Sequence, residues 1–101
     1  MHVSIVARVP AGHPMVETNL PIMSWNVRGL NMPTRRSVIH DTTHVHKLAI
    51  LCLQETKIDC WSTSLAREVG GTWLDECIVL PAIGTRGGAA IFWNSSVVSV
   101  Q

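Results

Sequence analysis

The chain has 101 residues, 47% of them hydrophobic and 15% charged, with eight basic against seven acidic side chains for a formal net charge of +1. Charge this sparse beside so much apolar sequence excludes intrinsic disorder, and the length allows one small domain at most. The near-neutral balance gives no general electrostatic case for nucleic-acid binding, which usually shows as a strongly basic face.

No apolar run approaches the ~18 residues of a membrane span; the longest clean one covers residues 48–53. Arg8 and Pro10 interrupt the apolar stretch near the start, so no secretory leader is expected. Three cysteines, Cys52, Cys60 and Cys77, are an odd number with no C-x-x-C pair. A reduced, intracellular protein of the nucleus or cytoplasm, without disulfides, is therefore expected. A complete soluble domain normally carries more surface charge, which leads us to expect part of a larger domain.

In chain order, residues 1–21 read as an irregular N-terminal extension. Residues 2–9 could form a short strand, but Pro10, Gly12, Pro14 and Pro21 break any regular element after it, and Met23 could be the original start. Residues 22–27 are a short apolar run between Pro21 and Arg28-Gly29, which predicts a strand. Pro33 is preset for a first helical turn, and Val38, Thr42 and Val45 give residues 34–47 a helical stripe. His44, His46 and Lys47 then stand in the last turn, where cations suit the helix dipole. The run 48–53 predicts a strand buried on both faces. A second helix over 62–69 closes at Gly70-Gly71. Further strands are predicted over 73–80, 88–93 and 97–100, with a turn at 84–88.

The strand 22–27, the helix 34–47 and the strand 48–54 make a βαβ unit, whose two strands should run parallel. Their C-terminal ends then open on one sheet edge, where ligands of open α/β sheets bind. Asn26 near the end of the first strand and Glu55 just past the second meet there. An amide oxygen beside a carboxylate is a hard-oxygen pair suited to Mg²⁺ and a phosphate it carries. The plainer alternative makes Asn26 a turn residue and Glu55 a solvated carboxylate.

Three segments carry a resemblance. Ser24-Trp25-Asn26-Val27-Arg28-Gly29-Leu30, Leu51-Cys52-Leu53-Gln54-Glu55-Thr56-Lys57 and Arg86-Gly87-Gly88-Ala89-Ala90-Ile91 resemble, in order, three motifs of the endonuclease/exonuclease/phosphatase superfamily, whose fold is that of deoxyribonuclease I. Their wording is closest to the endonuclease domain of plant non-LTR (LINE-type) retrotransposons, and the likeness runs from about Ile22 to Val100. The resemblance implies an α/β fold, a four-layer sandwich of two mixed sheets with helices outside, of which residues 22–101 would be the N-terminal portion. It implies Mg²⁺-dependent cleavage of phosphodiester bonds in DNA. It makes Glu55 the metal-binding carboxylate and Asn26 the asparagine that helps hold the metal-bound phosphate. Arg28 and Lys57 flank them as cations that could meet DNA phosphates, or stay solvated in their loops.

The family's later motifs supply a Tyr, an Asp–Asn pair in a G-D-x-N segment and a terminal Asp–His pair. This sequence has no Tyr, and Asp41, Asp59 and Asp75 stand in none of those contexts. Ala49 also stands where related sequences often carry Asp. Complete domains are more than twice as long, so an N-terminal fragment is expected, inactive by itself.

Other signals compete. His40 and His44 form H-x-x-x-H, two imidazoles on one helical face as in zinc metalloproteases, but Asp41 stands where the catalytic Glu belongs and no third ligand is evident. Gly84-Thr85-Arg86-Gly87-Gly88 lacks the Lys-Ser/Thr of a P-loop and reads as a hairpin turn. Trp25, Trp61, Trp73 and Trp93 read as packing residues. The nuclease reading has two rivals: a non-enzymatic remnant or interaction module, and a weak metal-binding domain using His40 and His44. With part of the fold missing, Ile50, Cys52, Ile91 and Trp93 are expected to face water and favour self-association through the exposed sheet.

Overall fold

The computed structural model describes residues 5–7 and 20–100. Its elements in chain order are β1 (Ile5–Ala7), β2 (Ile22–Asn26), α1 (Pro33–His46), β3 (Ile50–Gln54), α2 (Thr63–Gly70), β4 (Glu76–Leu80), β5 (Ala89–Trp93) and β6 (Val98–Val100). The fold class is α/β, as expected. A four-stranded mixed sheet runs in the order β2-β3-β5-β4, and β1 pairs with β6 in a separate two-stranded ribbon. Most of the segment read as an N-terminal extension lies outside the described residues; β1 falls within residues 2–9.

The β2–α1–β3 unit forms as the sequence predicts. β2 and β3 pair in parallel with Ser24 opposite Cys52 and Asn26 opposite Gln54, while β5 runs antiparallel to both β3 and β4. Pro33 opens α1 within its first two positions, although the N-cap residue Met32 offers no side-chain cap. α2 is capped by Ser62, whose Oγ accepts from the Leu65 N–H at 3.0 Å, and ends at Gly71 with φ +64°.

Alternation along the strands makes two cores. Leu51, Leu53, Ala90 and Phe92 face the helices and bury with Ile39, Val69, Leu74 and Leu30. Ile50 and Trp93 point the other way and bury with Ala49 and Val98. The run 48–53 is thus covered on both sides, as its apolar continuity predicts.

Four expectations need correction. The stripe of α1 is not Val38, Thr42 and Val45. Val38 and Val45 are 55% and 74% exposed, while Ile39 and Thr43 are buried. The inward row is Arg36, Ile39, His40 and Thr43, and three of those four are polar, so counting hydrophobic residues selects the neighbouring row. Second, Trp73 and Leu74 are not in a strand. The Leu74 N–H donates to Gly70 O at 3.2 Å, continuing the end of α2, and β4 begins only at Glu76.

Third, Ile50 and Trp93 do not face water. They are 1% and 8% exposed, because residues 94–98 turn back over that face and place Val98 on it, with Leu20 and Val97 packed alongside. Asn94, itself buried, shapes that turn: its backbone carbonyl accepts from Val98 N–H at 3.0 Å, while its side chain donates to Trp73 O at 2.8 Å and accepts from Ser96 N–H at 2.9 Å. Cys52 and Ile91 are half-buried rather than open. Fourth, residues 84–88 are not one turn. Ile83 and Arg86 exchange backbone hydrogen bonds of 3.2 and 2.9 Å around Gly84-Thr85, and Gly87-Gly88 already lead back into the sheet.

The cysteines are all free. Burial pushes the Cys52 thiol up from its usual range; burial first, then the Glu76 charge, does the same to Cys77. No helix of the described residues is long and apolar enough to cross a membrane.

Candidate metal and phosphate site

The parallel pair delivers Asn26 and Glu55 to one rim. Asn26 ends β2 opposite Gln54, and Glu55 follows Gln54 at the same sheet edge. Beyond the strands the two loops stay paired: Val27 N–H donates to Gln54 O at 3.0 Å, Gly29 N–H to Glu55 O at 2.8 Å and Leu30 N–H to Thr56 O at 2.8 Å. The β5 approach closes the other side, where Thr56 N–H donates to Gly88 O at 3.3 Å and Lys57 N–H to Gly87 O at 2.6 Å. Gly87 passes flat against the carboxylate residue; a Cβ there would stand 3.2 Å from Glu55 Cα and Cγ.

This edge concentrates unusual backbone. Arg28, Glu55 and Lys57 take φ values of +51°, +54° and +56°, and Gly29 lies between at +104°. Lys47, the other non-glycine with positive φ among the described residues, is the C-cap of α1. Left-handed conformations cost L-residues about 1–2 kcal/mol each and persist where the surroundings over-determine them.

Asn26 Oδ1 accepts from the Arg28 N–H at 3.2 Å, a local Asx-type contact that holds the amide. Glu55, Arg28 and Lys57 are exposed, and none of the three enters an ion pair among the described residues. Gln54 Nε2 donates across the strands to Ser24 Oγ at 2.9 Å.

Sequence reasoning missed Arg35 and Arg36. Arg35 Nη1 donates to Val27 O at 2.8 Å and to Arg28 O at 3.2 Å. Arg36 Nη1 donates to Leu30 O at 2.7 Å and Asn31 O at 3.1 Å. Together they pin the β2–α1 loop to the helix. A signal was present: cations in a helix's first turn oppose its dipole, and α1 has no acid there to offset them, so a tertiary role was indicated.

A divalent ion needs oxygen donors, and Mg²⁺ commonly takes one or two carboxylates and completes its shell with water. The Glu55 carboxylate beside an amide residue fits that habit. Among the described residues no group of three or more His, Cys, Asp or Glu gathers to hold a metal by protein ligands alone. The same holds at His40 and His44, whose rings stack in parallel 6.5 Å apart on one face of α1, with Asp41 Oδ1 3.4 Å from His40 Nδ1. The tryptophans pack as expected: Trp61 lies tilted 6.0 Å from Phe92, and Trp73 Nε1 donates to Leu48 O at 2.7 Å.

No curated protein matches the chain significantly. The model of the Endonuclease/Exonuclease/phosphatase family matches residues 23–101, which contain all of β2 but its first residue, the elements from α1 to β6, the paired loops and the rim. The chain belongs to the endonuclease/exonuclease/phosphatase family.

Proposed function

We propose that these residues carry the metal- and phosphate-holding edge of a Mg²⁺-dependent phosphodiesterase that acts on DNA, of the kind found in plant LINE-type retrotransposons. The observation that supports this best is the rim itself, where Asn26 ends β2 and Glu55 directly follows its parallel neighbour β3, on a backbone locked from both sides. Glu55 would hold the ion, and Asn26 Nδ2 would donate to the phosphate. Bound there, Mg²⁺ neutralises a phosphate oxygen and the charge that grows on the leaving oxygen. Arg28 and Lys57 would bind flanking DNA phosphates as exposed cations. The three motifs that meet at the rim bring no Tyr or Asp to act as general base: the sequence has no Tyr, and Asp41, Asp59 and Asp75 belong to none of them. These 101 residues alone are therefore proposed to bind without cleaving.

The test is Mn²⁺ binding by electron paramagnetic resonance, with Mn²⁺ standing in for Mg²⁺, together with plasmid nicking. Glu55→Gln should weaken the ion at least tenfold without moving the melting temperature, because the side chain is exposed. The chain should not nick supercoiled plasmid above background. Binding unchanged in Glu55→Gln would refute the site, and nicking abolished by Glu55→Ala would refute the inactivity.

The non-enzymatic reading has one observation in its favour. Cys52, Ile78 and Ile91 are half-buried on the sheet face away from the helices, an apolar strip suited to self-association.

A further inference from the structure

The end of the sheet away from the rim carries an opening of its own. β5 meets the rim side through Ala89, opposite Gln54. Its far end, where Phe92 stands opposite Cys77, borders a groove of about 400 Å³ between α2 and β4. α2 presses directly on β5: a Cβ at Gly70 would stand 3.0 Å from Phe92 Cδ2. Between the helix and β4 a strip stays open, so that Cys77 and Val79, which face the helices, are only half-buried.

Three features meet in this groove. The first is backbone. β4 is the outer strand in the order β2-β3-β5-β4, so one row of its N–H and C=O groups points away from β5. Among the described residues no backbone hydrogen bond outside the ladder reaches residues 76–80. This edge lacks the usual devices that blunt one: its five residues pair with β5 in unbroken register, and neither proline nor lysine stands among them. The second feature is an apolar wall made by Ala66, Leu74, Cys77 and Phe92. The third is charge. Asp75 and Glu76 line the groove at the start of the strand, with Arg67 on the helix side, and none of the three enters an ion pair among the described residues. Two carboxylates against one guanidinium make the groove net negative on a chain whose formal charge is +1.

An open edge calls for a strand, the wall for aliphatic side chains at every second residue, and the acids for a cation. We propose that β4 takes an extended segment of a partner protein as an added antiparallel strand, with aliphatic side chains toward α2 and a Lys or Arg opposite Glu76. In such an addition the main-chain bonds give affinity, and the alternate side chains and cross-strand pairs give specificity. The antiparallel sense is the slightly more stable pairing per residue. A second copy of β4 fits the groove less well. The one charge it carries is Glu76, which leaves every acid of the groove without a counter-ion. The addition rests on neither the rim nor an ion, and so is independent of the function proposed above.

The probe is the peptide acetyl-Ser-Val-Thr-Val-Lys-Ser-amide, designed to run opposite residues 80 back to 75 and titrated into the ¹⁵N-labelled chain. The amides of residues 76–80 should shift, alternate ones among them should gain protection from hydrogen exchange, and the Kd should be about 1 mM or tighter. Replacing the peptide's Lys by Glu should weaken binding about fivefold, and Glu76→Lys, a change at an exposed residue, should reverse that preference. Methylating the peptide's backbone nitrogens at alternate residues should abolish binding in one phase and spare it in the other, since only every second N–H faces β4. No binding, binding without protection in β4, or equal loss from both methylated peptides would overturn the proposal. So would β4 amides already protected in a dimer of the chain, because the edge would then belong to a second copy.

Discussion

Replacing Gly88 by alanine tests whether the close approach of β5 holds the rim, and Gly84→Ala is its internal control. Both glycines have positive φ, +78° and +56°, so both substitutions carry a backbone penalty of about 1 kcal/mol. They differ in space. A Cβ at Gly84 would meet nothing within 4 Å, whereas one at Gly88 would stand 2.9 Å from Thr56 Oγ1 and 3.0 Å from both Ala82 N and Leu80 O. Two of those three atoms are backbone and cannot rotate away, so the overpacking adds about 1–3 kcal/mol. Relief by moving the chain would break the Thr56 N–H bond to Gly88 O, for about 1 kcal/mol more. Gly88→Ala should therefore cost about 2–5 kcal/mol in all, against ~1 for Gly84→Ala, a large part of the ~5–15 kcal/mol typical of a domain. Urea denaturation followed by far-ultraviolet circular dichroism reads both values. Equal midpoints for the two variants would refute the reasoning, because the neighbours of Gly88 would then be yielding at no cost.

Three further outcomes are expected. Arg36→Met should destabilise by about 1–3 kcal/mol, because Leu30 O and Asn31 O lose their donor; in chemical denaturation Glu68→Gln should cost less than ~1, since the 3.0 Å Arg36–Glu68 pair is half exposed on the acid's side and its Nε is poorly aligned. Asp75 accepts from the hydroxyl and the backbone N–H of Ser95, and these bonds hold its carboxyl below the usual value. A lowered folded-state pKa gives stability that is complete above about pH 4 and lost as pH falls through the folded value. Asp75→Asn should flatten that acid limb in a pH series of melting temperatures, by a small amount given how exposed the group is. Zinc should bind the stacked His40–His44 pair more weakly than about 1 μM, since two imidazoles leave the ion mostly to water; a tighter calorimetric value lost in His40→Ala would contradict this.

Legibility in the sequence followed how local each cause was. Strand β3 showed in the apolar run 48–53, which begins two residues before it, the end of α2 in Gly70-Gly71, and the parallel pairing of β2 with β3 in the helix between them. The common edge of Asn26 and Glu55 comes from that topology and needed no further information. Non-local causes were hidden. The inward row of α1 is mostly polar because Arg36 serves carbonyls of the preceding loop and pairs with Glu68 of α2, which no periodicity shows. Trp73 reads as a strand residue, yet its ring lies under Lys47 with Nζ 5.1 Å from the centroid, and its indole serves Leu48 O. Burial of Ile50 and Trp93 depends on a turn built by Asn94, a residue that in sequence only marks the end of a strand.

The rim brings these causes together. Arg28, Glu55 and Lys57 hold left-handed backbones that together cost several kcal/mol. Each is over-determined by bonds that do not involve any ligand. Asn26 Oδ1 and Arg35 fix the backbone around Arg28. Gly29 N–H fixes the carbonyl of Glu55, while Gly87 O takes the Lys57 N–H and Asn31 Nδ2 donates to the Lys57 carbonyl at 3.1 Å. The same bonds recruit all three sequence motifs, since residues 26–31, 54–57 and 86–88 each supply a donor or an acceptor to another. Glycine at 87 lets β5 come this close, since a Cβ there would crowd Glu55 at 3.2 Å and ask it to shift by a few tenths of an ångström. The backbone under Asn26 and Glu55 is thus set by folding itself, and a metal-bound phosphate arriving there would meet a surface that has already met its ordering cost.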